Sequence, residues 1–420
     1  MLLNPFRSKF ANLITVKQLN TFYKKILERF IEGLLMISSA VTSLTVLLIV
    51  VFLFKEGVSL FGKKSLEEGY VLAVNKSNTV NNLSAEQIKN IFDQKIKNWN
   101  EVGGNNVPIL LFRTEDIAKY YGEDQIGKNF ENLSGCISKV TDSLSGIIAF
   151  FPKKYLDKNF KGRLLETENI TISEFLNGKE WFPTAQPAAQ LGIMPLILGT
   201  LWVSLGAILL ALPLGLATAI YMSEIASDTV RRFMKPLIEL LSGIPSVVYG
   251  FFGLVIIVPL IQKIFNLPVG ETALSGSIIL GIMALPTIIT ISEDAMRNTP
   301  RAMKEASLAL GATKWQTIYK VIIPYSASGI SAGAILGIGR AIGETMAVLM
   351  VTGNAAVIPH TILEPVRTIP ATIAAELGEA ANGGVHYKAL FALGCVLFVI
   401  TLLINLSVEF VSSRNKYGKH

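Results

Sequence analysis

Cysteine and histidine are nearly missing from this sequence. Its 420 residues hold two cysteines, Cys136 and Cys395, and three histidines, His360, His386 and His420. Two thiols so far apart exclude a disulfide framework, and none of the five residues has the spacing of a metal site. The histidines are expected in solvated loops or the tail. Charge is scarce too: Asp, Glu, Lys and Arg make up 16% of the chain, against about 25% in ordinary soluble domains. No catalytic triad, zinc cluster or other cofactor site is legible. The nearest approach to a phosphate-binding loop, Gly122 to Asn129, ends in Asn where that loop needs a Ser or Thr hydroxyl for magnesium. No catalytic residue is therefore expected, and the chain is read as no enzyme.

What is present is apolar surface. Hydrophobic residues make up 51%, with a mean hydropathy of +0.48. Several runs approach the roughly 20 residues that a membrane-crossing helix needs. The first, about 33–54, is longer than the core of a secretory signal and lacks a small-residue cleavage site, so it reads as a retained anchor. The basic residues 1–32 before it suit an amphipathic helix on the membrane surface. Five more spans are predicted near 194–222, 244–264, 275–292, 327–351 and 388–410, with Pro213, Pro245 and Pro286 among them. Proline is tolerated there where neighbours re-satisfy the freed carbonyl.

The net charge of +7 would suggest nucleic acid for a soluble chain; here the distribution of cations between loops explains it better. Lys and Arg number six in the N-terminal segment, three in 223–243, five in 297–325 and three in the tail, against Arg367 alone in 265–274 and 352–386. Six spans put the cation-rich segments on one side. Both termini are then cytoplasmic, and the long polar segment 55–191, exempt from the charge rule, lies outside. That segment has seventeen basic and seventeen acidic residues. Strand-like runs at 70–74, 107–112 and 146–151 and a helix-like run at 85–92 predict a small α/β domain.

The stretch from Glu305 to Glu344 organises the rest. A short helix over 302–310 is expected to end at Gly311 in a left-handed turn. A second, 314–321, follows, and Pro324 sits where the next span opens. Within that span Gly329, Gly333, Gly337 and Ala341 form a small-residue ridge, read as packing. Beside it stand Arg340 and Glu344, spaced as one helical turn. A charge at mid-membrane costs about 2.5–3.5 kcal/mol on insertion scales, so the pair is expected to line a polar path.

Here a resemblance becomes specific. Glu305-Ala306-Ser307, Gly311 and Val321-Ile322-Ile323-Pro324 resemble the EAA loop of ABC importer permeases. Ser246-Val-Val-Tyr-Gly-Phe-Phe-Gly253 and Gly339-Arg-Ala-Ile-Gly-Glu-Thr-Met-Ala-Val348 look like the permease of the phosphate-specific uptake system, the PstC type. The insert, through 71–80, 83–92, 95–104 and 143–156, is similar to one lobe of periplasmic phosphate-binding proteins. Its anion loop is altered: Arg113 is followed by Thr114-Glu115-Asp116-Ile117-Ala118 in place of Gly-Ser-Gly-Thr, so the glycines that let amides converge on an anion are gone. The insert is expected to bind phosphate weakly or not at all.

The resemblance implies an all-α integral membrane protein of the type I ABC importer permease fold, with six transmembrane helices and a small extracytoplasmic α/β insert. The division expected is 1–54 for the N-terminus and first span, 55–191 for the insert, 192–410 for the permease core with its coupling loop at 297–325, and 411–420 for the tail. It implies a channel subunit of a phosphate importer in the bacterial inner membrane, with no cofactor. Glu305, Ala306, Ser307, Gly311 and Pro324 would engage a cytoplasmic ATPase dimer; Arg340 and Glu344 would line the path. The other implied partners are a sister permease of the PstA type, a periplasmic phosphate-binding protein, phosphate itself and membrane lipid, with no nucleic acid. Two alternatives stay open at this level: a permease for sulfate or molybdate, and a membrane receptor that senses a ligand through the insert.

Overall fold

The computed structural model describes residues 5–127 and 129–417, with side chains described for 27–127 and 129–410. The chain divides into two compact units, Met1–Glu56 and Gly57–His420. The first is occupied by one helix, α1 (Pro5–Val58), whose apolar part forms a candidate span from Leu27. The expectation of an amphipathic face within 1–26 falls on side chains outside the described set, as does the expectation for His420.

The second unit opens with the α/β insert. Its elements are β1 (Tyr70–Val74), β2 (Asn82–Leu83), α2 (Ala85–Phe92), β3 (Leu110–Arg113), α3 (Glu123–Ile126), α4 (Leu133–Ser143), β4 (Ile147–Pro152), β5 (Arg163–Thr167), α5 (Ile172–Asn177), β6 (Trp181–Phe182) and β7 (Gln190–Leu191). Five strands form a sheet in the order β2-β5-β1-β4-β3. β1 runs antiparallel to β4, with Leu72 opposite Phe150, and to β5, whereas β3 and β2 run parallel to β4 and β5.

The period-two alternation of strands sorts the side chains onto two faces. Leu72, Val74, Ile148 and Phe150 pack with Ile88, Ile91 and Trp99 on one face; Ala73, Ile147, Ala149 and Phe151 pack with Leu133, Ile137 and Val140 on the other. A helix therefore covers each face of the sheet. α2 begins where Ser84 Oγ accepts the Gln87 amide at 3.2 Å and Gln87 returns the bond to the Ser84 amide at 3.0 Å, a capping box. Trp99 is buried and its indole N–H donates to the Gly146 carbonyl at 2.9 Å. Replacing such a side chain by Ala costs about 3–5 kcal/mol. The base of the insert, through Phe175, Trp181 and Leu191, shares a core with Leu196, Ile369, Leu390 and Leu393.

The helical part follows: α6 (Met194–Ile220), α7 (Asp228–Gly243), α8 (Ser246–Phe252), α9 (Val258–Phe265), α10 (Ala273–Arg297), α11 (Arg301–Ala309), α12 (Lys314–Thr317), α13 (Ile323–Gly343), α14 (Met346–Val351), α15 (Ile369–Glu376) and α16 (Val385–Tyr417). Among the described residues six helical stretches are long and apolar enough to cross a membrane, the number expected from the sequence: α1 from Leu27, α6 extended to Ile225, Ser246–Phe265, α10, Lys314–Gly343 and α16 up to Phe410.

α10 is the central element, packed against both α6 and α13, and it is the span whose side chains are most enclosed. The small-residue ridge of α13 meets it. A Cβ added at Gly329 would lie 2.3 Å from the Ala295 Cβ, one at Gly333 3.1 Å from Ser292 Oγ, and one at Gly337 2.7 Å from Ile288 Cγ1. The ridge is a packing device, as read from the sequence.

Candidate functional site

Two regions of the helical part carry the residues singled out by sequence. The first is the connection between α10 and α13. Its first helix, α11, ends in a Schellman motif: the Gly311 amide donates to the Leu308 carbonyl at 3.0 Å and the Ala312 amide to the Ser307 carbonyl at 3.2 Å. Gly311 has φ +83° with nothing within 4 Å of a Cβ built on it, so glycine is required there by backbone conformation and not by space.

Thr313 then caps α12, and Ser307 Oγ lies 3.0 Å from Thr317 Oγ1, fastening the two short helices together. The second helix does not end at Val321 as expected. It passes through a wide turn, Ile318–Ile322, straight into α13, with Pro324 in the first turn of that helix. Lys304 on α11 bonds Glu224, at the end of the α6 span, at 2.6 Å. Glu305 and Ala306 are exposed. So are Leu310, at 90%, and Trp315, at 63%, and with Leu308 and Tyr319 they leave an apolar surface in this connection.

The second region is the C-terminal end of α13. Spacing alone puts Arg340 and Glu344 one turn apart on one helical face. The structure corrects this. α13 stops at Gly343, and Glu344 is extended, at φ −69° and ψ 135°. The helix restarts at Met346, where Glu344 Oε1 accepts the Ala347 amide at 3.4 Å and Thr345 Oγ1 turns back to the Gly343 carbonyl at 3.2 Å. The expected span 327–351 is thus a broken helix. A carboxylate satisfying an amide of the second piece, preceded by glycine, makes the break tolerable in an apolar setting.

Arg340 sits in the last turn of α13, where a cation is favoured by the helix dipole. It is half-buried, and among the described residues its guanidinium has no hydrogen bond or ion pair, with Glu344 or any other group.

The insert presents the opposite situation around Arg113. A turn, Thr114–Lys119, follows β3 directly. Asp116 Oδ2 accepts the Arg113 amide at 2.8 Å, and Asp116 Oδ1 accepts from Lys119 Nζ at 2.6 Å. Burial pushes the Asp116 carboxyl up, but the Lys119 and Arg113 hydrogen bonds outweigh it and hold it below the usual range. The Arg113 guanidinium lies over the Phe92 ring, 5.5 Å from its centroid. A carboxylate of the chain's own thus engages an amide at the position of the altered anion loop.

Three features escaped the sequence. Glu293 on α10 is 1% exposed and is held by Arg231 of α7 at 2.8 Å, Lys235 at 3.5 Å and Arg297 at 3.9 Å, so a buried carboxylate fixes the amphipathic helix α7. The Lys304–Glu224 pair anchors α11. Glu376 gathers Trp181, Arg367 and His386, and His386 is therefore largely buried and hydrogen-bonded, contrary to its expected place in solvent. His360 is exposed, as expected.

Comparison with known proteins falls into the same two parts. Residues 211–417 match the family described as "Binding-protein-dependent transport system inner membrane component", and residues 66–125 match a PBP superfamily domain. The chain is 42% identical over 247 residues to the "Probable ABC transporter permease protein YqgH" of Bacillus subtilis (strain 168), across 59% of this chain and 80% of that protein. It is 39% identical over 249 residues to the "Phosphate transport system permease protein PstC" of Mesorhizobium japonicum, across 55% of this chain and 75% of that one. Among solved structures, a chain of the inward-facing MetNI methionine ABC transporter is 19% identical, covers 53% of this chain and 94% of that chain, and superposes with a TM-score of 0.40.

Proposed function

Since the chain belongs to the family of binding-protein-dependent transport system inner membrane components, we propose that it forms the PstC-type half of the membrane channel in an ABC importer for inorganic phosphate. The observation that carries the substrate is the identity to phosphate transport permeases, 39% over three quarters of the length of one such protein. The coupling of ATP hydrolysis to transport falls to the α11–α12 connection. Its exposed Leu310 and Trp315, the Schellman turn at Gly311 and the anchor of Lys304 on Glu224 suit a surface that a cytoplasmic ATPase grips and that passes motion into α13. Glu305, Ala306, Ser307, Gly311 and Pro324 form this coupling element.

Arg340 is the solute-facing charge. Phosphate is anionic near neutral pH and needs a compensating cation in a low-dielectric span. A guanidinium stays protonated and offers a planar fork to phosphate oxygens. It must also let the ion go, since conduction requires release. Glu344, at the break four residues on, tempers the positive potential. It is also an acceptor for a protonated phosphate oxygen, which fully ionised sulfate does not offer.

In this reading the partners are a sister permease of the PstA type, two copies of an ATPase, a periplasmic phosphate-binding protein and surrounding lipid. Both termini are cytoplasmic, the insert 55–191 is periplasmic, and chemistry belongs to the ATPase. The test is reconstitution with the ATPase and the binding protein in vesicles, assaying ATP-dependent uptake of phosphate against sulfate. Uptake of sulfate in preference to phosphate, or no uptake of either, would sink the assignment.

A further inference from the structure

The transport reading leaves one buried charge cluster without a role. Trp181, on β6 of the insert, is 1% exposed and donates its indole N–H to the two carboxylate oxygens of Glu376 at 3.2 and 3.0 Å. Arg367 reaches Oε1 of the same carboxylate at 2.8 Å, and His386 Nε2 lies 2.9 Å from Oε2. Four parts of the chain meet on this group: the base of the insert, the segment before α15, the last residue of α15 and the first turn of α16. Burial alone would push the Glu376 carboxyl up. The hydrogen bonds from His386 and Trp181 and the charge of Arg367 outweigh it and keep it below the usual carboxylate range. A buried carboxylate that loses such partners is left at high cost, so the cluster decides where α15 ends.

The other end of α15 is also fixed. Thr368 accepts the Ala371 amide at 3.4 Å, and Thr200 of α6 accepts the Ile369 amide at 3.0 Å. Between these anchors Pro370, Ile373 and Ala374 of α15 line a shallow hollow, open to the outside, together with Gly343 and Thr345. Those last two residues flank the break that follows Arg340. The insert, α15 and the broken span thus follow one another in space, and the only polar link from insert to α15 is made by Trp181 and Glu376 among the described residues.

We infer that Glu376 is a positioning residue through which the insert holds α15 beside the break after Gly343, so that the insert governs access to Arg340. This rests on the reading of Arg340 as the solute-facing charge. The insert then contributes to transport without binding the solute, as a clamp on the wall of the path.

The test uses the full chain in its assembled complex. Trp181→Phe keeps the buried ring and removes the N–H; Glu376→Gln keeps the shape and removes the charge. Amide hydrogen exchange over 369–376 is read beside ATP hydrolysis and phosphate uptake. Each variant is expected to speed exchange there by about tenfold or more, the loss of one charged hydrogen bond. Exchange in α10 should stay as in the wild type, and the ratio of hydrolysis to uptake should rise. Glu376→Gln, which also weakens the hold on Arg367 and His386, should exceed Trp181→Phe. The double variant should fall short of the sum of the two because they share the Trp181 contact, and Glu376→Asp should restore part of the protection. Unchanged exchange at 369–376 in both single variants overturns the proposal. So does exchange loosened throughout the helices, or a wild-type ratio of hydrolysis to uptake despite loosened α15. Exchange needs no solute, so a wild-type complex that moved no phosphate would sink the transport reading and leave the link between insert and α15 to be judged by its own measurement.

Discussion

Arg113 in the insert and Arg340 in the fifth span stand at the two places where an anion would be sought. At Arg113 the chain has closed the site on itself: Asp116 takes the amide and pairs with Lys119, and the guanidinium rests on Phe92. At Arg340 the fold supplies a cation and leaves it without a partner among the described residues, at the end of a helix that breaks three residues later. An exposed guanidinium resting on a ring is stable in water as it stands, whereas a half-buried one with no hydrogen bond or ion pair is stable only if something charged or wet reaches it. That difference in burial is why anion handling is proposed for the span and not for the insert.

The hardest blow to that contrast is Arg340→Gln. A charged hydrogen bond contributes about 1.5–3 kcal/mol, so uptake should fall by roughly 10- to 150-fold. Arg340→Lys should fall in between, having the charge without the fork. Wild-type uptake by the glutamine variant at matched membrane abundance would make Arg340 structural. Next in size is Gly311→Val. A left-handed residue with a Cβ costs about 1–2 kcal/mol, more if β-branched. The variant should insert normally, yet lose about tenfold in uptake and co-purify poorly with the ATPase. If it transports normally, Gly311 has no part in coupling.

Arg113→Gln is the matching substitution in the insert, and it should change uptake by less than about twofold, since the exposed guanidinium makes only a ring contact with Phe92, of about 0.5–1 kcal/mol at an exposed site. Calorimetry on residues 66–183 should likewise detect no phosphate binding; tight binding would make the insert a receptor domain. The smallest effect concerns pH. The Glu376 carboxyl is lowered in the folded chain, so its contribution is complete above the ordinary carboxylate pKa of about 4.3 and is lost only as pH falls through the lower folded value. Exchange protection of α15, corrected for the intrinsic pH dependence of exchange, should therefore be the same at pH 8.5 and pH 7.5.

The strands and helices with strong periodicity were legible. Tyr70–Val74 and Ala85–Phe92 fall on the strand-like and helix-like runs, and five of the six spans were placed to within a few residues. What failed was local. A run rich in Gly and Ala with two charges four apart reads as one amphipathic helix, and nothing in the spacing says that Glu344 will leave the helix to cap the next piece. The connection after α6 was read from its cations as a loop. It is the helix α7, held by a carboxylate on α10 that hydropathy counts as the end of a span. Glu376 was invisible for a different reason. Its partners Trp181, Arg367 and His386 are spread over two hundred residues and meet only when the insert has docked.

A glycine ridge leaves little slack. Along Gly329, Gly333 and Gly337 no side chain of α13 stands between it and α10, and only Ala295, Ser292 and Ile288 of α10 fill the contact. If the two helices turn as one body, they are the arms of a crank with α11 and α12 as its handle. From Pro324 to Arg340 the arm measures about 24 Å at a rise of 1.5 Å per residue. By that length a tilt of roughly 5° at the handle would carry the guanidinium about 2 Å, enough to make or break a hydrogen bond.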